Sequence, residues 1–298
     1  MNTKSPITTF LLRYWLQLIL ITMVVTRLPL LWNGYGSDPD AWRVANVGYT
    51  VWTTGSYEMS RPPGYPLHEL ISAPLVALGG SLLSNTATIV ATLILIVAFA
   101  RWAASATQNP PLATTALAFL PLLWMNSAMT MDYVWSLLFI VLSLSALDRG
   151  RTMTSAVFMG IAAGFRLSNI VVAIAFCIMI WMEHRSPKRI AQFLLGSIVT
   201  TIVAFIPVVA TYGFAEWLHL SQSQLGRVRP PFPEQVLLFG YRIVYSVGLI
   251  AFTAVVWVFL ANRKKIRQLI HNRDVRFVVY ATAVFVLVAQ LFFLPLDR

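Results

Sequence analysis

Ser37-Asp38-Pro39-Asp40-Ala41-Trp42-Arg43-Val44-Ala45-Asn46-Val47-Gly48-Tyr49-Thr50-Val51-Trp52, followed shortly by Arg61-Pro62-Pro63-Gly64-Tyr65-Pro66, is a polar interruption in an otherwise hydrophobic chain. It separates one apolar run, Phe10 to Trp32, from another that starts at Leu67. An acidic pair, an aromatic-rich amphipathic stretch and an arginine set among prolines lie between two candidate membrane spans. This arrangement predicts a loop on a bilayer surface that carries chemistry, with the remainder as its scaffold.

Composition agrees. Of 298 residues, 58% are hydrophobic and 11% charged, and the mean hydropathy is +0.71, which excludes an ordinary soluble domain. The apolar runs approach the length needed to cross a hydrocarbon core of about 30 Å as helices, and the alternating pattern of a transmembrane barrel is absent. The expected fold is an all-α polytopic helical bundle of about nine or ten hydrophobic helices, some short or re-entrant, forming a single transmembrane domain over residues 1–298. The net charge of +11 does not imply nucleic acid, because Lys and Arg sit in short connectors between apolar runs, where they report topology. The single Cys177 lies within an apolar run and excludes a disulfide framework.

The first run is longer than a secretory core and lacks a small-residue cleavage motif, so it reads as a retained span. Lys4 and Arg13 place the N-terminus in the cytoplasm and the 33–66 loop outside. Further spans are expected at Leu67–Leu83, Ala87–Trp102, Leu112–Met125, Tyr133–Leu147, Met153–Phe165, Asn169–Met182, Ile190–Tyr212, Val236–Leu260 and Phe277–Leu294. The connectors Arg185–Arg189 and Arg263–Arg276 hold three and six Lys or Arg residues and belong inside, leaving residues 215–235 as a second external loop. Six candidate segments separate the 33–66 loop from Arg185, where an odd number is required. One of them is therefore partial or re-entrant, with Leu112–Met125, containing Pro121, and Met153–Phe165, containing Gly160 and Gly164, as the candidates.

Within the first loop, Ser37 or Asp38 before Pro39 reads as a helix start. A helix over residues 40–52 puts Trp42, Ala45, Tyr49 and Trp52 on one stripe and Arg43 and Asn46 on another, the pattern of a helix lying in the interface. If Asp38 caps that helix, Asp40 keeps a free carboxylate and is the first candidate for a general base; the pair can also hold a divalent cation. Three prolines and a glycine leave the backbone around Arg61 few options, so Arg61 and Tyr65 are held in place just before a span. Arg61 suits a phosphate oxygen or a lipid headgroup. His68 and Glu69 either extend the site or remain in the wet interface. Asp132 is a helix cap or a second site acid, and Arg166, between apolar segments, is a functional candidate because a cation there needs water or a partner. In the second loop His219 is a solvated histidine or a proton relay, and Arg227 and Arg229 break the positive-inside trend in favour of an anionic ligand.

Together, Asp38-Pro39-Asp40, the Trp42–Tyr49 segment, Tyr57 and Arg61-Pro62-Pro63-Gly64-Tyr65-Pro66-Leu67 resemble the GT-C superfamily of integral-membrane glycosyltransferases, which includes protein O-mannosyltransferases and bacterial aminoarabinose transferases. The resemblance is strongest over the first loop, extends to Asp132 and Gly164–Arg166, and is architectural beyond about Met182. It implies that the essential loop aspartate maps onto Asp38 or Asp40, the Pro-Pro motif onto Pro62 and Pro63, and a second external acid onto Asp132. The implied reaction moves a sugar from a polyprenyl-phosphate donor to an acceptor hydroxyl outside a bacterial plasma membrane. Arg61, Tyr65, His68, Asp132, Arg166, His219, Arg227 and Arg229 are then the donor-phosphate and substrate residues. A divalent cation, if any, would sit on Asp38, Asp40 and Asp132; membrane lipid is a partner and nucleic acid is not. Many members carry Asp-Glu where this chain has Asp-Pro-Asp, and many are longer, so a fragment or a compact member is expected. The alternatives are a transporter or flippase using Asp132 and Arg166 at membrane depth, which predicts two related halves, and a non-catalytic membrane scaffold.

Overall fold

The computed structural model describes residues 6–223 and 231–249, with residues 252, 253, 256, 257 and 260. Among these residues every regular element is helical. The expected span at Phe277–Leu294, the connector Arg263–Arg276, and Arg227 and Arg229 lie outside the described residues.

Helix α1 (Pro6–Arg27) runs into a short 3-10 turn, Leu28–Trp32. Helix α2 (Pro39–Thr54) starts where expected: Asp38 accepts the Asp40 N–H at 2.9 Å, Pro39 occupies the first turn, and Gly55 ends the helix at a φ of 71°. The rest of the bundle comprises α3 (Pro66–Ala106), α4 (Pro110–Ala118), α5 (Pro121–Asn126), α6 (Tyr133–Asp148) and α7 (Thr152–Phe165), then α8 (Val172–His184), α9 (Pro187–Tyr212), α10 (Phe214–Ser223) and α11 (Phe232–Val247). Four stretches are long and apolar enough to cross a membrane: Arg13–Trp32, Pro66–Ala106, Leu167–His184 and Pro187–Tyr212. The chain is thus an all-α, multi-pass membrane protein.

Several expectations are corrected. The spans expected at Leu67–Leu83 and Ala87–Trp102 form one kinked helix, α3, which runs through the polar residues Ser84, Asn85 and Thr86 between them. Its axis breaks instead at Gly79–Gly80, where Gly80 has φ 57° and ψ −146°, a conformation open only to glycine. Leu112–Met125, a candidate for a partial span because of Pro121, is indeed broken into α4 and α5 at that residue, since Pro121 cannot donate the backbone hydrogen bond that would continue α4. Met153–Phe165, the other candidate for a partial span, is an uninterrupted helix; its glycines serve packing. A Cβ at Gly160 would lie 2.7 Å from the Ser197 carbonyl oxygen, and one at Gly164 would lie 2.6 Å from Ala204 Cβ. The loop expected at residues 215–235 is helical over much of its length, in α10 and the start of α11. On α2, Ala45 belongs to the buried face with Ala41, Val44 and Gly48, whereas Trp42, Tyr49 and Trp52 are exposed. The small face is what allows α2 to approach Ser72 and Ala73 of α3 closely.

The α3 kink sets the course of residues 66–78. Segment 66–78 begins beside Arg61, which bonds Asp132. It ends at Gly80 beside the Tyr35 hydroxyl, and Tyr35 in turn accepts the Thr130 N–H. Both ends of 66–78 therefore abut the short connector before α6, and the segment lies across one end of the bundle, not through it. Segment 81–106, the α4–α5 pair, α6, α7 and α8 follow in turn. Inside, Phe176 and Phe193 stack at 5.5 Å within a cluster with Met159 and Ile180. A second cluster joins Met23, Leu95, Ile96 and Leu138.

Because the Ser197 carbonyl is backbone and cannot rotate away, Gly160→Ala is expected to destabilise the protein by about 1–3 kcal/mol, measured by thermal denaturation in detergent against wild type.

Candidate active site

The 57–65 loop is folded around one buried carboxylate. Glu69, in the first turn of α3, is 0% exposed and accepts from Ser60 N–H at 2.8 Å, Ser60 Oγ at 2.6 Å, Tyr65 N–H at 3.1 Å and the Tyr57 hydroxyl. Burial, with the adjacent Glu69 charge and hydrogen bond, pushes the Tyr57 hydroxyl pKa up, so it remains a donor. The turn that follows is closed by the Gly64 N–H donating to the Arg61 carbonyl at 2.8 Å, across a cis Pro62–Pro63 bond, with Gly64 at a φ of 97°. From the other side, Trp217 Nε1 of α10 donates to the Pro63 carbonyl at 2.7 Å, and the Met59 N–H donates to the Tyr212 hydroxyl at 3.1 Å. His68 and Glu69 are thus interior residues, 2% and 0% exposed, not groups left in the wet interface; the loop folds back over the start of α3 and covers them.

This folding delivers Arg61 to Asp132. Asp132 precedes α6 but does not cap it with its side chain. Its Oδ1 instead accepts from Arg61 Nη2 at 3.0 Å and its Oδ2 from Arg166 Nη1 at 2.9 Å, with the carboxylate side chain 1% exposed. Arg61 Nη1 also lies 3.4 Å from Asp40 Oδ2, and Asp40 Oδ1 accepts from Arg43 at 2.9 Å. The charges therefore alternate along a row: Asp40, Arg61, Asp132, Arg166. The aromatic walls are Tyr65, 4.0 Å below the Arg61 guanidinium, and Tyr133, 4.5 Å from that of Arg166. Burial opposes the Arg61 charge, but Tyr65 and the carboxylates of Asp132 and Asp40 outweigh it and raise its pKa above the ordinary value.

The sequence candidates separate accordingly. Asp40, Arg61, Tyr65, Asp132 and Arg166 converge, although they come from α2, the 57–65 loop, the start of α6 and the end of α7. Asp38 caps α2. His68 adjoins them, 6.5 Å from Trp135 between ring centres, with Nδ1 buried and without a hydrogen-bond partner. His219 is exposed on α10 and none of the described contacts joins it to this group; Arg227 and Arg229 lie outside the described residues. Tyr133 and Glu69 complete the site; Glu69 was one of two residues that could extend it, whereas no sequence signal marked Tyr133 as functional. Glu69 was visible only as one of two polar residues opening an apolar run.

The donor set does not suit a divalent cation. Each Asp132 oxygen already receives a guanidinium, Asp38 is occupied as a cap, and no cluster of three His, Cys, Asp or Glu residues is present among the described residues. Positive charge is supplied by the two arginines. Asp40, with its side chain 22% exposed, is the more accessible carboxylate in the row, and its two oxygens face Arg43 and Arg61.

Removing the shared carboxylate by Asp132→Ala leaves two cations facing each other. It is expected to cost about 3 kcal/mol, toward the lower end for a buried pair because the Arg166 side chain is 30% exposed; chemical denaturation in detergent measures it. Glu69→Ala strands four donors and is expected to open residues 57–65 to limited proteolysis while the α6–α7 pair stays protected. Searches against known protein families, curated proteins and solved structures found no significant match for the chain.

Proposed function

We propose that this protein is a membrane glycosyltransferase that moves a sugar from a polyprenyl-phosphate donor to an acceptor hydroxyl at the extracytoplasmic face. The observation that carries this reading is the convergence of the more accessible carboxylate, Asp40, with two aromatic-backed arginines, Arg61 and Arg166, at one end of an apolar bundle. In the proposed reaction Asp40 accepts the proton of the acceptor hydroxyl, whose oxygen forms a bond to the anomeric carbon. The bond from that carbon to the phosphate oxygen breaks, and the electron pair leaves on the polyprenyl phosphate, whose charge the free N–H groups of Arg61 and Arg166 stabilise.

Two further features support a lipid-borne substrate. Helices α6 and α7 have 16 and 14 residues, about 24 and 21 Å, short of a core of about 30 Å. A site at their ends therefore sits in a recess, within reach of a headgroup. Beside it, a cavity of about 330 Å³ runs between α3 and α6, lined by Leu83, Val90, Ile94, Trp135 and Leu138, and its apolar walls suit a hydrocarbon chain. The extracytoplasmic assignment rests on charge: the connectors at the opposite end carry Arg149, Arg151, Arg185, Lys188 and Arg189. The transporter alternative predicts matching breaks in two related halves, whereas the breaks at Gly79–Gly80 and before Pro121 fall in consecutive helices.

The test is transfer of radiolabelled sugar from polyprenyl-phosphate donors by the purified protein in detergent. Asp40→Asn is expected to lower transfer by about 100-fold or more, the range of a lost general base. Asp38→Asn, which can still cap α2, is expected to retain most of it. Transfer undiminished in Asp40→Asn overturns the assignment of the base. A wild-type protein inert with every donor overturns the reading.

A further inference from the structure

We infer that Arg27 is a positioning residue that holds the 127–132 connector, and with it Asp132, from inside the bundle. Arg27 ends α1 and is 0% exposed, and its hydrogen bonds go to neutral groups. Nε donates to Ser127 Oγ at 2.6 Å, Nη2 to the Ala118 carbonyl at 2.6 Å, and Nη1 to the Met23 carbonyl and Thr26 Oγ1, each at 3.3 Å. Its guanidinium also lies 5.6 Å from the Phe119 ring centre.

Ala118 and Ser127 stand on either side of α5. Ala118 is the last residue of α4, and its carbonyl loses a helical partner where the helix breaks before Pro121. Ser127 follows α5 and begins the connector to Asp132. One planar guanidinium therefore spans the short helix, accepting the break on one side and tying down the connector on the other. A buried cation satisfied only by neutral acceptors is costly in an apolar bundle. A leucine or methionine would fill the volume at less cost, but neither reaches two acceptors at once.

Beyond Ser127 the connector is held by its own neutral bonds. Thr130 N–H donates to the Tyr35 carbonyl at 2.9 Å, Thr130 Oγ1 bonds to Ser84 Oγ at 2.9 Å and Asn85 Oδ1 at 3.0 Å, and Asn85 Nδ2 donates to the Gly34 carbonyl at 2.7 Å. Asp132 follows two residues later. Arg27 is sealed from solvent and touches none of the row Asp40, Arg61, Asp132 and Arg166, so it acts through the connector. The inference goes beyond the proposed transfer reaction and does not depend on it.

Hydrogen–deuterium exchange of the full chain in detergent, comparing wild type with Arg27→Gln, Arg27→Lys and Ser127→Ala, tests it. Arg27→Gln is expected to speed amide exchange in residues 127–132 by about tenfold or more, with α7 unchanged. Arg27→Lys, which keeps the charge and can reach one acceptor, is expected to recover part of the protection, and Ser127→Ala to give a smaller rise in the same peptide. The inference is overturned if 127–132 exchanges as in wild type in both Arg27→Gln and Ser127→Ala, or if Arg27→Gln loosens all helices equally while Ser127→Ala has no effect. Should Arg27→Gln not fold, Ser127→Ala decides: a local rise supports the inference and no change overturns it.

Discussion

The structure depends on one carboxylate shared by two guanidiniums. Asp132 is almost wholly buried and gives one oxygen to Arg61 and the other to Arg166, so the 57–65 loop and the end of α7 are both referred to the start of α6. A buried ion pair contributes little net stability once desolvation is counted, but breaking one partner away is strongly unfavourable. The geometry is therefore specified sharply even though the stabilisation is modest. The same arrangement explains how two cations are kept side by side: the central carboxylate removes their repulsion while leaving donors unspent.

Around that centre, one end of the bundle is made of elements that lie across it. Helix α2 and segment 66–78 of α3 pack through Gly48, Ser72 and Ala73, and their close approach uses small side chains because no space remains for larger ones. Glu69 gathers the loop from below, and Tyr212 and Trp217 hold it from above. The short helices α6 and α7 supply Asp132 and Arg166 at their ends, beside α2 and the loop that enters α3. Buried polar groups in such surroundings must be paired. Glu69 satisfies this with four donors and Asp132 with two guanidiniums, whereas His68 Nδ1 and Arg61 Nη1 remain without hydrogen bonds, and Arg61 Nη1 lies 3.4 Å from Asp40.

The first loop was legible because its signals are local. Asp38 and Pro39 define a helix start within two residues, and the prolines after Arg61 restrict the backbone without help from elsewhere. Arg166 was legible for a different reason, since a cation between apolar segments demands a partner. The same argument applies to Arg27, whose isolation in the first apolar run was the available signal. Glu69 was legible only as a polar residue that could extend the site, because Tyr57, Ser60 and Tyr65 become its partners only when the loop folds back. The α2 stripe misled at Ala45: at helical spacing an alanine fits either face, and packing against α3 chose the buried one.

What the sequence by itself determined was the all-α membrane character, the position of the loop and the start of its helix. These follow from hydropathy, proline and capping, which act over a few residues. Only the tertiary structure decided that α3 breaks at Gly79–Gly80, setting its first third, residues 66–78, apart from the rest. It alone brought Asp132 to Arg61 and Arg166 across separations of 71 and 34 residues. Ion pairs between distant segments leave no periodicity or spacing in the chain, because the partners are chosen by which helix ends meet.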